Sequence, residues 1–436
     1  MKKSVKPAKK LAGTLTPPAD KSVSHRAAIL NSLAPGEAMI NNFSDGGDCR
    51  STLQCLNLLG VTAEKITPEA GSSETPTLRL SSPGLEHFHE PNDILNAGNS
   101  GTTMRFILGL LGSTPFTSVV TGDGSLRSRP MARIVQPLRF MGAHIMGRNG
   151  DSLAPLTIRG GELNGIEYTL PVASAQVKSS LIMAALFAKG DTILHQPALS
   201  RDHTERMLGA MGANIVEDGL VLVIKPGSDL KPLNVNVSGD ISSAAFWMVA
   251  AAAHPNASVK LTNVGVNPTR AAVLDILKAM GGRIKVENQH LEGGELVADI
   301  LIESSDLHGV EIAGDQIPIV QDEIPVIALA ACFAKGTTVI RDAQELRIKE
   351  SDRLQTTAKE LSRLGGNVKE LPDGLIIEGT GSLKGGICRS YGDHRIAMTL
   401  GIAGLLADEE VVINGAEIAS ITYPNFWENL NALTTA

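Results

Sequence analysis

The chain repeats one hydrophobic pattern six times. Each copy has an apolar run rich in Ala and Leu, a turn with Gly, Pro or Asn, and then a run of β-branched residues. The apolar run predicts a buried helix, and the β-branched run predicts a strand. A recurrence every 60 to 80 residues, roughly, indicates repeated supersecondary units. The copies are SHRAAILNSLAPGEAMINNF, TTMRFILGLLGSTPFTSVVTG, SSLIMAALFAKGDTILHQ, SSAAFWMVAAAAHPNASVKLTNV, IPVIALAACFAKGTTVIRDA and HRIAMTLGIAGLLADEEVVINGA.

A second pattern, an amphipathic helix that stops at Gly and leads into a strand, alternates with the first. Gly after the last apolar turn is typical of a left-handed helix stop. Five copies are plain, and NFWENLNAL is predicted to be the sixth helix. Its returning strand is missing at that end, so we expect the segment before Thr14 to supply it. The five copies are LNLLGVTAE, LRFMGAHIM, LGAMGANIVE, LKAMGGRIKVE and LSRLGGNVKE.

Six units in 436 residues favour two domains of three units each. We place the first domain at residues 14–239 and the second at residues 1–13 and 240–436. If the N-terminal strand closes the last unit, the chain crosses between domains twice, near residues 13–16 and 238–241. Two crossings make a hinge, and a hinge predicts a cleft that closes on its ligand. The alternative is a rigid array of six units.

Composition excludes several classes of protein. A hydrophobic content of 43%, with 19% charged residues and a net charge of −7, is that of a globular chain without general affinity for nucleic acid. The apolar runs AAFWMVAAAA and IPVIALAACFA are about half of the 20 residues that span a bilayer, so we predict buried helices and no membrane association. The Lys-rich start is not followed by an apolar signal core, which favours a cytoplasmic protein.

The cysteines and histidines give no indication of a metal site. The four cysteines, Cys49, Cys55, Cys332 and Cys388, show no CxxC pairing, so we expect reduced thiols. Since no His, Cys and Asp cluster has metal-ligand spacing, we expect no structural zinc.

Cations and polar residues gather where the apolar helices are predicted to begin. PADKSVSHRAAIL places Lys21 and Ser22 before a helix and Arg26 in its first turn. A helix N-terminus with cations is suited to an anion, although a surface helix with extended basic side chains would look the same. LNAGNSGTTMRF repeats the arrangement with Asn99 and Gly101, where Gly lets a ligand approach the backbone amides. The plain capped turn remains the alternative.

Further helix starts carry the same kinds of residue. Arg129 lies in GDGSLRSRPMAR, and Arg201 lies in SRDHTERM. VASAQVKSSL offers hydroxyl, amide and ammonium groups that suit a polyhydroxylated ring, through Ser174, Gln176 and Lys178. Arg395 follows His394 in YGDHRIAM. Several cations that converge would bind substrates with phosphate and carboxylate groups.

Two carboxylates stand among these cations. Asp322 comes just before an apolar helix in VQDEIPVIALAACF, where an N-cap is the alternative role. Glu350 lies in RIKESDRL between the candidate substrate ligands Lys349 and Arg353. We interpret the other charges of that segment, including Arg347, as supporting or solvated.

Taken in order along the chain, these motifs resemble the 5-enolpyruvylshikimate-3-phosphate synthase family, also called 3-phosphoshikimate 1-carboxyvinyltransferase. The resemblance covers nearly the whole chain. It implies a two-domain α/β fold, an inside-out α/β barrel of six βαβαββ units of the EPT/RTPC-like type. The motifs that carry it are PADKSVSHR, GNSGTTMR, SLRSRPM, ASAQVKSS, SRDHTERM, QDEIP, RIKESDRL and YGDHRIAM.

The resemblance implies transfer of the enolpyruvyl group of phosphoenolpyruvate to the 5-hydroxyl of shikimate 3-phosphate, with release of phosphate and without metal or cofactor. Asp322 would be the base for the hydroxyl proton, and Glu350 the acid that protonates the methylene carbon. The shikimate 3-phosphate ligands would be Lys21, Ser22, Arg26, Ser174, Gln176, Arg201, Asp322 and Lys349. The phosphoenolpyruvate ligands would be Lys21, Asn99, Gly101, Arg129, Gln176, Arg353 and Arg395. It further implies a monomer, and it makes glyphosate a candidate inhibitor.

Some positions depart from the family pattern. Ile421 stands before Thr422, Tyr423 and Pro424 where many relatives have Lys, which puts a phosphate contact in doubt. Phe106 replaces the Pro of plant-type members, and the RDHTERM and NSGTT forms resemble the second bacterial class. That class is often tolerant of glyphosate, whereas Gly101 leaves room for it, so sensitivity stays open.

Two alternatives compete with this interpretation. The related UDP-N-acetylglucosamine enolpyruvyl transferases use a Cys in the loop that corresponds to GDGSLRSRPM, and this loop has none. A catalytically inactive scaffold would have no reason to keep Asp322, Glu350 and Lys21 together with the arginines.

Overall fold

The computed structural model describes residues 1–66 and 77–434. Its helices are α1 (Lys21–Leu33), α2 (Gly47–Leu58), α3 (Gly101–Leu111), α4 (Ala132–Met141), α5 (Arg148–Asp151), α6 (Ala175–Ala185), α7 (His203–Ala210), α8 (Ile241–Ala253), α9 (Ala272–Ala279), α10 (Ile317–Val320), α11 (Ile324–Phe333), α12 (Arg353–Arg363), α13 (His394–Leu406) and α14 (Phe426–Thr434). Its strands are β1 (Lys2–Val5), β2 (Leu11–Leu15), β3 (Pro35–Asn41), β4 (Thr62–Ile66), β5 (Thr77–Pro83), β6 (Leu95–Asn96), β7 (Thr117–Thr121), β8 (His144–Gly147), β9 (Leu153–Arg159), β10 (Glu167–Thr169), β11 (Thr192–His195), β12 (Asn214–Asp218), β13 (Val221–Lys225), β14 (Val235–Asn236), β15 (Ala257–Gly265), β16 (Arg283–Glu292), β17 (Glu295–Glu303), β18 (Glu311–Ile312), β19 (Thr337–Ile340), β20 (Asn367–Leu371), β21 (Gly374–Glu378), β22 (Gly386–Arg389) and β23 (Val411–Asn414).

Both sequence patterns form the predicted elements. The six apolar runs form α1, α3, α6, α8, α11 and α13, and each is followed by a strand. The glycines after the amphipathic helices adopt positive φ, from 91° at Gly365 to 118° at Gly142, a conformation that favours glycine. Small side chains also let the apolar helices approach one another: a Cβ at Gly109 of α3 would lie 2.4 Å from the Ser180 carbonyl oxygen of α6.

The described strands form six sheets with one shared plan. The strand after each apolar helix has a parallel neighbour on one side and an antiparallel neighbour on the other. Five sheets have four strands, in the orders β14-β3-β5-β4, β6-β7-β9-β8, β10-β11-β13-β12, β2-β15-β17-β16 and β18-β19-β21-β20. The sixth sheet has three strands in the order β22-β23-β1.

The N-terminal segment supplies the predicted strand to the last sheet. Lys2–Val5 pairs antiparallel with β23. The last sheet thus receives a strand from the N-terminus of the chain, and this strand lies next to β23. A second N-terminal strand, which the sequence patterns did not indicate, is Leu11–Leu15, and it pairs parallel with β15.

The chain divides into two compact units. The first unit contains Ala19–Ser238 and Leu291–Glu295, and the second contains Met1–Pro18, Gly239–His290 and Leu296–Ala436. Each unit has its own hydrophobic core, built from its three apolar helices and the inner faces of its sheets. In the second unit α8, α11 and α13 pack on one another, and nearly all of their residues are buried.

The long apolar runs are buried helices, as predicted. Among the described residues, no single helix is both long enough and apolar enough to span a membrane. One bent pair, Gly314–Val320 with Ile324–Phe333 at 112°, meets the length and composition criteria only when taken together. The four cysteines are buried and unpaired with each other.

Candidate functional site

The start of α1 brings Lys21 against an acidic partner. Asp20 caps the helix by accepting a hydrogen bond from the Val23 amide at 2.9 Å, which fixes the chain just before Lys21. The Lys21 ammonium lies 3.0 Å from an Asp48 carboxylate oxygen in the first turn of α2. With 35% of its side chain exposed, Lys21 remains accessible to a ligand.

Arg26 lies deeper in the same helix and is held on several sides. Its guanidinium donates to Thr204 Oγ1 at 2.7 Å, to Ser179 Oγ at 3.2 Å and to the Ser22 carbonyl at 3.1 Å. Burial lowers the pKa of Arg26 to about 10, with the nearby charge of Arg201 acting in the same direction and Glu205 opposing it. Two cations whose charges act on each other, one of them buried and one partly buried, suit an anionic ligand.

Phe106 lies under Arg26. The centre of its ring is 4.9 Å from the guanidinium carbon, a cation–π distance, and the ring is buried. The replacement of Pro by Phe, seen in the sequence as a departure from plant-type relatives, thus places an aromatic face against a candidate substrate ligand.

The GNSGTTMR segment forms a second cationic group. Ser100 caps α3, and Asn99 links Arg129 at 3.0 Å to Asp123 at 2.7 Å. A Cβ at Gly101 would lie 2.5 Å from an Arg105 guanidinium nitrogen and 3.6 Å from one of Arg129. The absence of a side chain at Gly101 therefore leaves the first amides of α3 next to two guanidinium groups.

Gln176 joins this group from α6. Its amide oxygen accepts a hydrogen bond from Arg105 at 2.5 Å, and its amide nitrogen donates to Thr102 Oγ1 at 2.9 Å. Ser174 accepts a hydrogen bond from the Val177 amide at 3.5 Å, so its hydroxyl caps α6. The structure thus brings Gln176 to Thr102 and Arg105 in the first turns of α3, while Ser174 has a capping contact.

Lys178 does not line an accessible surface, contrary to the interpretation that grouped it with Ser174 and Gln176. Its side chain is 1% exposed and lies 2.6 Å from a carboxylate oxygen of the buried Glu205. Burial of an unpaired ammonium group would cost free energy, and the ion pair with Glu205 offsets this cost, so Lys178 lies in the interior. It also donates to the Ser200 carbonyl at 3.1 Å, which holds the loop just before Arg201.

The candidate acid and base meet in the second unit on one arginine. Arg353 lies at the start of α12, 2% exposed, and donates to Asp322 at 3.1 Å and to Glu350 at 2.6 Å. Its Nε donates to the buried Asp393 at 2.9 Å. Burial alone would lower the pKa of Arg353, but the charges of Glu350, Asp393 and Asp322 raise it above its ordinary value.

The alternative role of Asp322 as a helix cap is wrong. The residue before α11 is Glu323, and it makes no capping hydrogen bond from its side chain. The Asp322 side chain instead reaches Arg353 and is 21% exposed, while that of Glu350 is 30% exposed. Both carboxylates are therefore within reach of a ligand.

The remaining charges of RIKESDRL divide as predicted. Arg347 donates to the Pro372 and Leu371 carbonyls, both at 2.7 Å, and its ion pairs with Asp352 and Glu370 secure the segment. Asp352 also caps α12. Lys349, half-buried, lies between this anchored part and Glu350.

Arg395 lies at the start of α13, which Asp393 caps by accepting from the Arg395 amide at 2.8 Å. Its guanidinium donates to the Ser242 carbonyl at 3.1 Å and lies 6.0 Å from the Phe246 ring. Asp393 thus contacts both Arg353 and Arg395, and the structure brings these two predicted ligands together.

The position of the missing family Lys is apolar and exposed. Ile421 is 48% exposed at the end of the short 3-10 turn Ala416–Ile421, and it has no group that donates to phosphate. The adjoining segment is held by Tyr423, whose hydroxyl accepts a hydrogen bond from Trp247 at 3.0 Å.

Some residues of these groups were missed in the sequence. They are Asp48, the partner of Lys21, and Asp393, the partner of Arg353, which was quoted only as part of a motif. Asp20, Asp240 and Asp393 occupy equivalent positions, each capping an apolar helix. That repetition was available as a signal. The partners of Arg353 are far apart in the chain, so spacing gave no sign of them.

Cations at helix starts and a pair of carboxylates on one guanidinium define an α/β enzyme for anionic substrates, able to bind phosphate or carboxylate and to move protons. The family model for EPSP synthase (3-phosphoshikimate 1-carboxyvinyltransferase) matches residues 5–430. The chain belongs to the EPSP synthase family.

Sequence relatives and solved structures of this family are similar to the chain over nearly its whole length. The chain is 49% identical to the 3-phosphoshikimate 1-carboxyvinyltransferase of Desulfitobacterium hafniense (strain DSM 10664 / DCB-2), covering 98% of this chain and 97% of the relative. It is 51% identical to that of Synechococcus sp. (strain JA-3-3Ab), covering 99% and 96%. The EPSP synthase structure from Acinetobacter baumannii superposes with a TM-score of 0.89 at 42% identity, covering 99% and 98%.

Family membership decides between the alternatives. The chain is a transferase of the shikimate route to aromatic amino acids and converts shikimate 3-phosphate and phosphoenolpyruvate into 5-enolpyruvylshikimate 3-phosphate and phosphate. The scaffold and the UDP-N-acetylglucosamine enolpyruvyl transferase interpretations are therefore set aside.

Proposed function

We propose that the residues of both units act on one pair of substrates, as the family pattern implies. The ligands of shikimate 3-phosphate are Lys21, Ser22, Arg26, Ser174, Gln176, Arg201, Asp322 and Lys349. The ligands of phosphoenolpyruvate are Lys21, Asn99, Gly101, Arg129, Gln176, Arg353 and Arg395. Partial exposure of Lys21 and the bonds that hold Arg26 and Gln176 in place support these roles. Each well-placed donor contributes roughly a few kcal/mol to the stabilisation of charge in the transition state.

Asp322 is the base and Glu350 is the acid in this proposal. The observation that carries it is their shared contact with the Arg353 guanidinium, at 3.1 and 2.6 Å. Glu350 protonates the methylene carbon of phosphoenolpyruvate, Asp322 takes the proton of the attacking hydroxyl, and the tetrahedral intermediate loses phosphate as the methyl carbon is deprotonated again. Two carboxylates are needed because the two protons move at different atoms.

Arg353 links substrate binding to these proton transfers. In this structure it holds Glu350 through a charge-assisted hydrogen bond. An anionic group of phosphoenolpyruvate that binds the same guanidinium nitrogen displaces Glu350 from it. Glu350, released from this contact, takes a proton from solvent, delivers it to the methylene carbon and accepts it back when the methyl carbon is deprotonated.

The proposal extends to the architecture. We interpret the six sheets as βαβαββ repeats of an inside-out α/β barrel, with domains at residues 14–239 and at residues 1–13 and 240–436. Unit boundaries after Pro18 and Ser238 support two crossovers near residues 13–16 and 238–241 that act as hinges. The radius of gyration from X-ray scattering should fall when shikimate 3-phosphate is added, and an unchanged scattering profile would contradict closure.

The same proposal includes a cytoplasmic monomer of the second bacterial class, with glyphosate as a competitor of phosphoenolpyruvate. Sedimentation velocity of the purified chain tests the monomer. Inhibition by glyphosate at varied phosphoenolpyruvate tests the competitor, and noncompetitive or absent inhibition argues against it.

The central experiment measures phosphate release from shikimate 3-phosphate and phosphoenolpyruvate. Asp322→Asn and Glu350→Gln should lower kcat by about 10² or more, because each removes a proton carrier, with much smaller changes in substrate binding. Asp306→Asn and Glu311→Gln are matched controls on carboxylates that are 93% and 65% exposed in the same unit. Near-normal turnover in either test variant would show that its assigned role is wrong.

A further inference from the structure

A buried ionic network lies next to Asp322 in the second unit. Arg270, just before α9, is 3% exposed and lies 3.3 Å from a Glu323 carboxylate oxygen and 3.4 Å from one of Asp240. Glu323 is fully buried and also accepts a hydrogen bond from the Ser242 hydroxyl. Arg270 donates to the same hydroxyl. The network therefore ties the start of α8 and the segment before α9 to the turn that precedes α11.

The network contacts two elements of the proposed machinery without containing either. Glu323 follows Asp322 directly, so its buried carboxylate anchors the turn from which Asp322 reaches Arg353. Ser242 carries the other link, since its carbonyl accepts the hydrogen bond from Arg395 at 3.1 Å. Ser242 therefore connects the two: its hydroxyl donates to Glu323, and its backbone carbonyl accepts from Arg395.

The start of α8 is itself rigidly defined. Asp240 caps the helix by accepting from the Ser242 amide at 2.9 Å and from the Ser243 hydroxyl at 2.9 Å. Burial alone would raise the pKa of Asp240, but the charges of Arg270 and Arg395 lower it below its ordinary value. The Asp240 carboxylate is therefore a fixed negative charge between the two arginines.

Stability gives little reason for such a network. Buried ion pairs are often replaced by apolar side chains of similar volume without loss of stability, because desolvation offsets the attraction between the charges. A catalytic site gains instead from side chains whose positions are fixed by surrounding hydrogen bonds. The contacts from Glu323 and Ser242 supply this fixation for one candidate proton acceptor and one candidate anion ligand.

We propose that Glu323 and Arg270 are positioning residues that set Asp322 and Arg395 relative to each other for the transfer reaction. The inference rests on the proposed roles of Asp322 and Arg395. Asp322 and Arg395 are both held by the network of Glu323, Arg270 and Ser242. A substitution in this network therefore displaces the base and the phosphoenolpyruvate ligand together.

Glu323→Gln is the first test, because glutamine keeps the shape and an acceptor oxygen while removing the charge that faces Arg270. We expect kcat to fall about tenfold and the KM for phosphoenolpyruvate to rise about tenfold, since small misplacements of reacting groups have effects of this size. The KM for shikimate 3-phosphate should change by less than about threefold, because most of its proposed ligands lie outside the network.

The double variant Glu323→Gln, Arg270→Met separates positioning from folding. Removal of both charges leaves no uncompensated arginine, and Asp240 keeps the charge of Arg395 nearby, so the melting temperature should return toward that of the wild type. The kinetic constants should not recover, since the link between Ser242 and the Asp322 turn stays altered. Ile377→Ala is the control: it removes a buried side chain of β21 in the same core, so it should lower the melting temperature and leave both KM values unchanged.

Three outcomes overturn the proposal. They are wild-type kinetics in Glu323→Gln, recovery of kcat and KM together with the melting temperature in the double variant, or an equal kinetic loss in Ile377→Ala. Titration of phosphoenolpyruvate into the enzyme without shikimate 3-phosphate, where no acceptor hydroxyl is present and no turnover occurs, measures the Arg395 effect on binding, and an unchanged Kd in Glu323→Gln also overturns the proposal. Absence of phosphate release by the wild type, or normal turnover of Asp322→Asn, instead contradicts the proposed function.

Discussion

His25 should make the stability of the first unit depend on pH. It lies beside Arg26 on α1, 1% exposed, with its Nδ1 atom 2.7 Å from Thr52 Oγ1. Burial lowers the pKa of His25 from 6.5 to about 3, with Asp48 opposing the shift and the charges of Lys21 and Arg26 adding to it. The native state therefore keeps this imidazole neutral in acid.

The sign and size of the effect follow from linkage. Below pH 6.5 His25 is protonated in the unfolded chain but stays neutral in the native chain, so the free energy of unfolding falls as the pH falls toward 3. Each pH unit in this window costs about 1.4 kcal/mol, which gives roughly 5 kcal/mol over the whole window. Between pH 7.5 and 4.5 the expected loss from His25 alone is about 3 kcal/mol.

His25→Gln removes this proton uptake while it keeps a group able to hydrogen-bond Thr52. Urea unfolding at pH 7.5 and 4.5 should show that the variant loses about 3 kcal/mol less than the wild type on acidification. Both tryptophans, Trp247 and Trp427, lie in the second unit, so their fluorescence follows the unfolding of that unit. Circular dichroism follows both units, and the transition of the first unit is obtained by comparing the two signals.

His87→Gln, on an exposed side chain of the same unit, is the matched control. The reasoning is refuted if wild type and His25→Gln lose equal stability between the two pH values. It is equally refuted if nuclear magnetic resonance finds the His25 imidazole titrating near 6.5 in the folded protein.

Three further predictions concern the site. Arg353→Lys should lower kcat at least tenfold and destabilise the second unit by about 3 to 5 kcal/mol, because one ammonium cannot serve three carboxylates and the buried Asp393 loses its partner; kinetics and thermal unfolding check this. Phe106→Leu keeps an apolar side chain but removes the ring face under Arg26, worth about 0.5 to 2 kcal/mol, so the KM for shikimate 3-phosphate should rise while that for phosphoenolpyruvate stays constant. Gly101→Ala should raise the KM for phosphoenolpyruvate by about tenfold or more, because the added methyl lies 2.5 Å from a guanidinium nitrogen that must shift; unchanged kinetics would contradict the placement of the loop.

Local features of the fold could be predicted from the sequence because local physics determines them. The apolar helices are set by runs of contiguous residues, and the helix stops are set by single glycines such as Gly142 and Gly365. The pairing of Lys2–Val5 with β23 was predicted in part, since a repeat with a missing strand requires a substitute. The parallel pairing of Leu11–Leu15 with β15 had no such signal, because a short strand carries little periodicity.

The sequence indicated which charged residues are candidates for the site, but it gave little sign of the contacts that hold them. RIKESDRL indicated Glu350 and Arg353, but the third carboxylate on Arg353 is Asp393, forty residues further along the chain. Lys178 is a residue that the sequence indicated wrongly. Its polar neighbours in the sequence indicated a ligand-binding surface, but its ammonium group pairs with the buried Glu205 of the next helix and lies in the interior.

The strand Lys2–Val5 has a consequence for the order in which the protein is made. Its partner Val411–Asn414 leaves the ribosome some four hundred residues later, so the last sheet stays incomplete through most of synthesis. Ala19–Ser238, by contrast, is one continuous stretch that emerges long before that partner. During translation the Ala19–Ser238 part of the first unit is therefore free to fold while the N-terminal strand stays unpaired. A fusion placed before Met1 adds its bulk to the strand that must pair last.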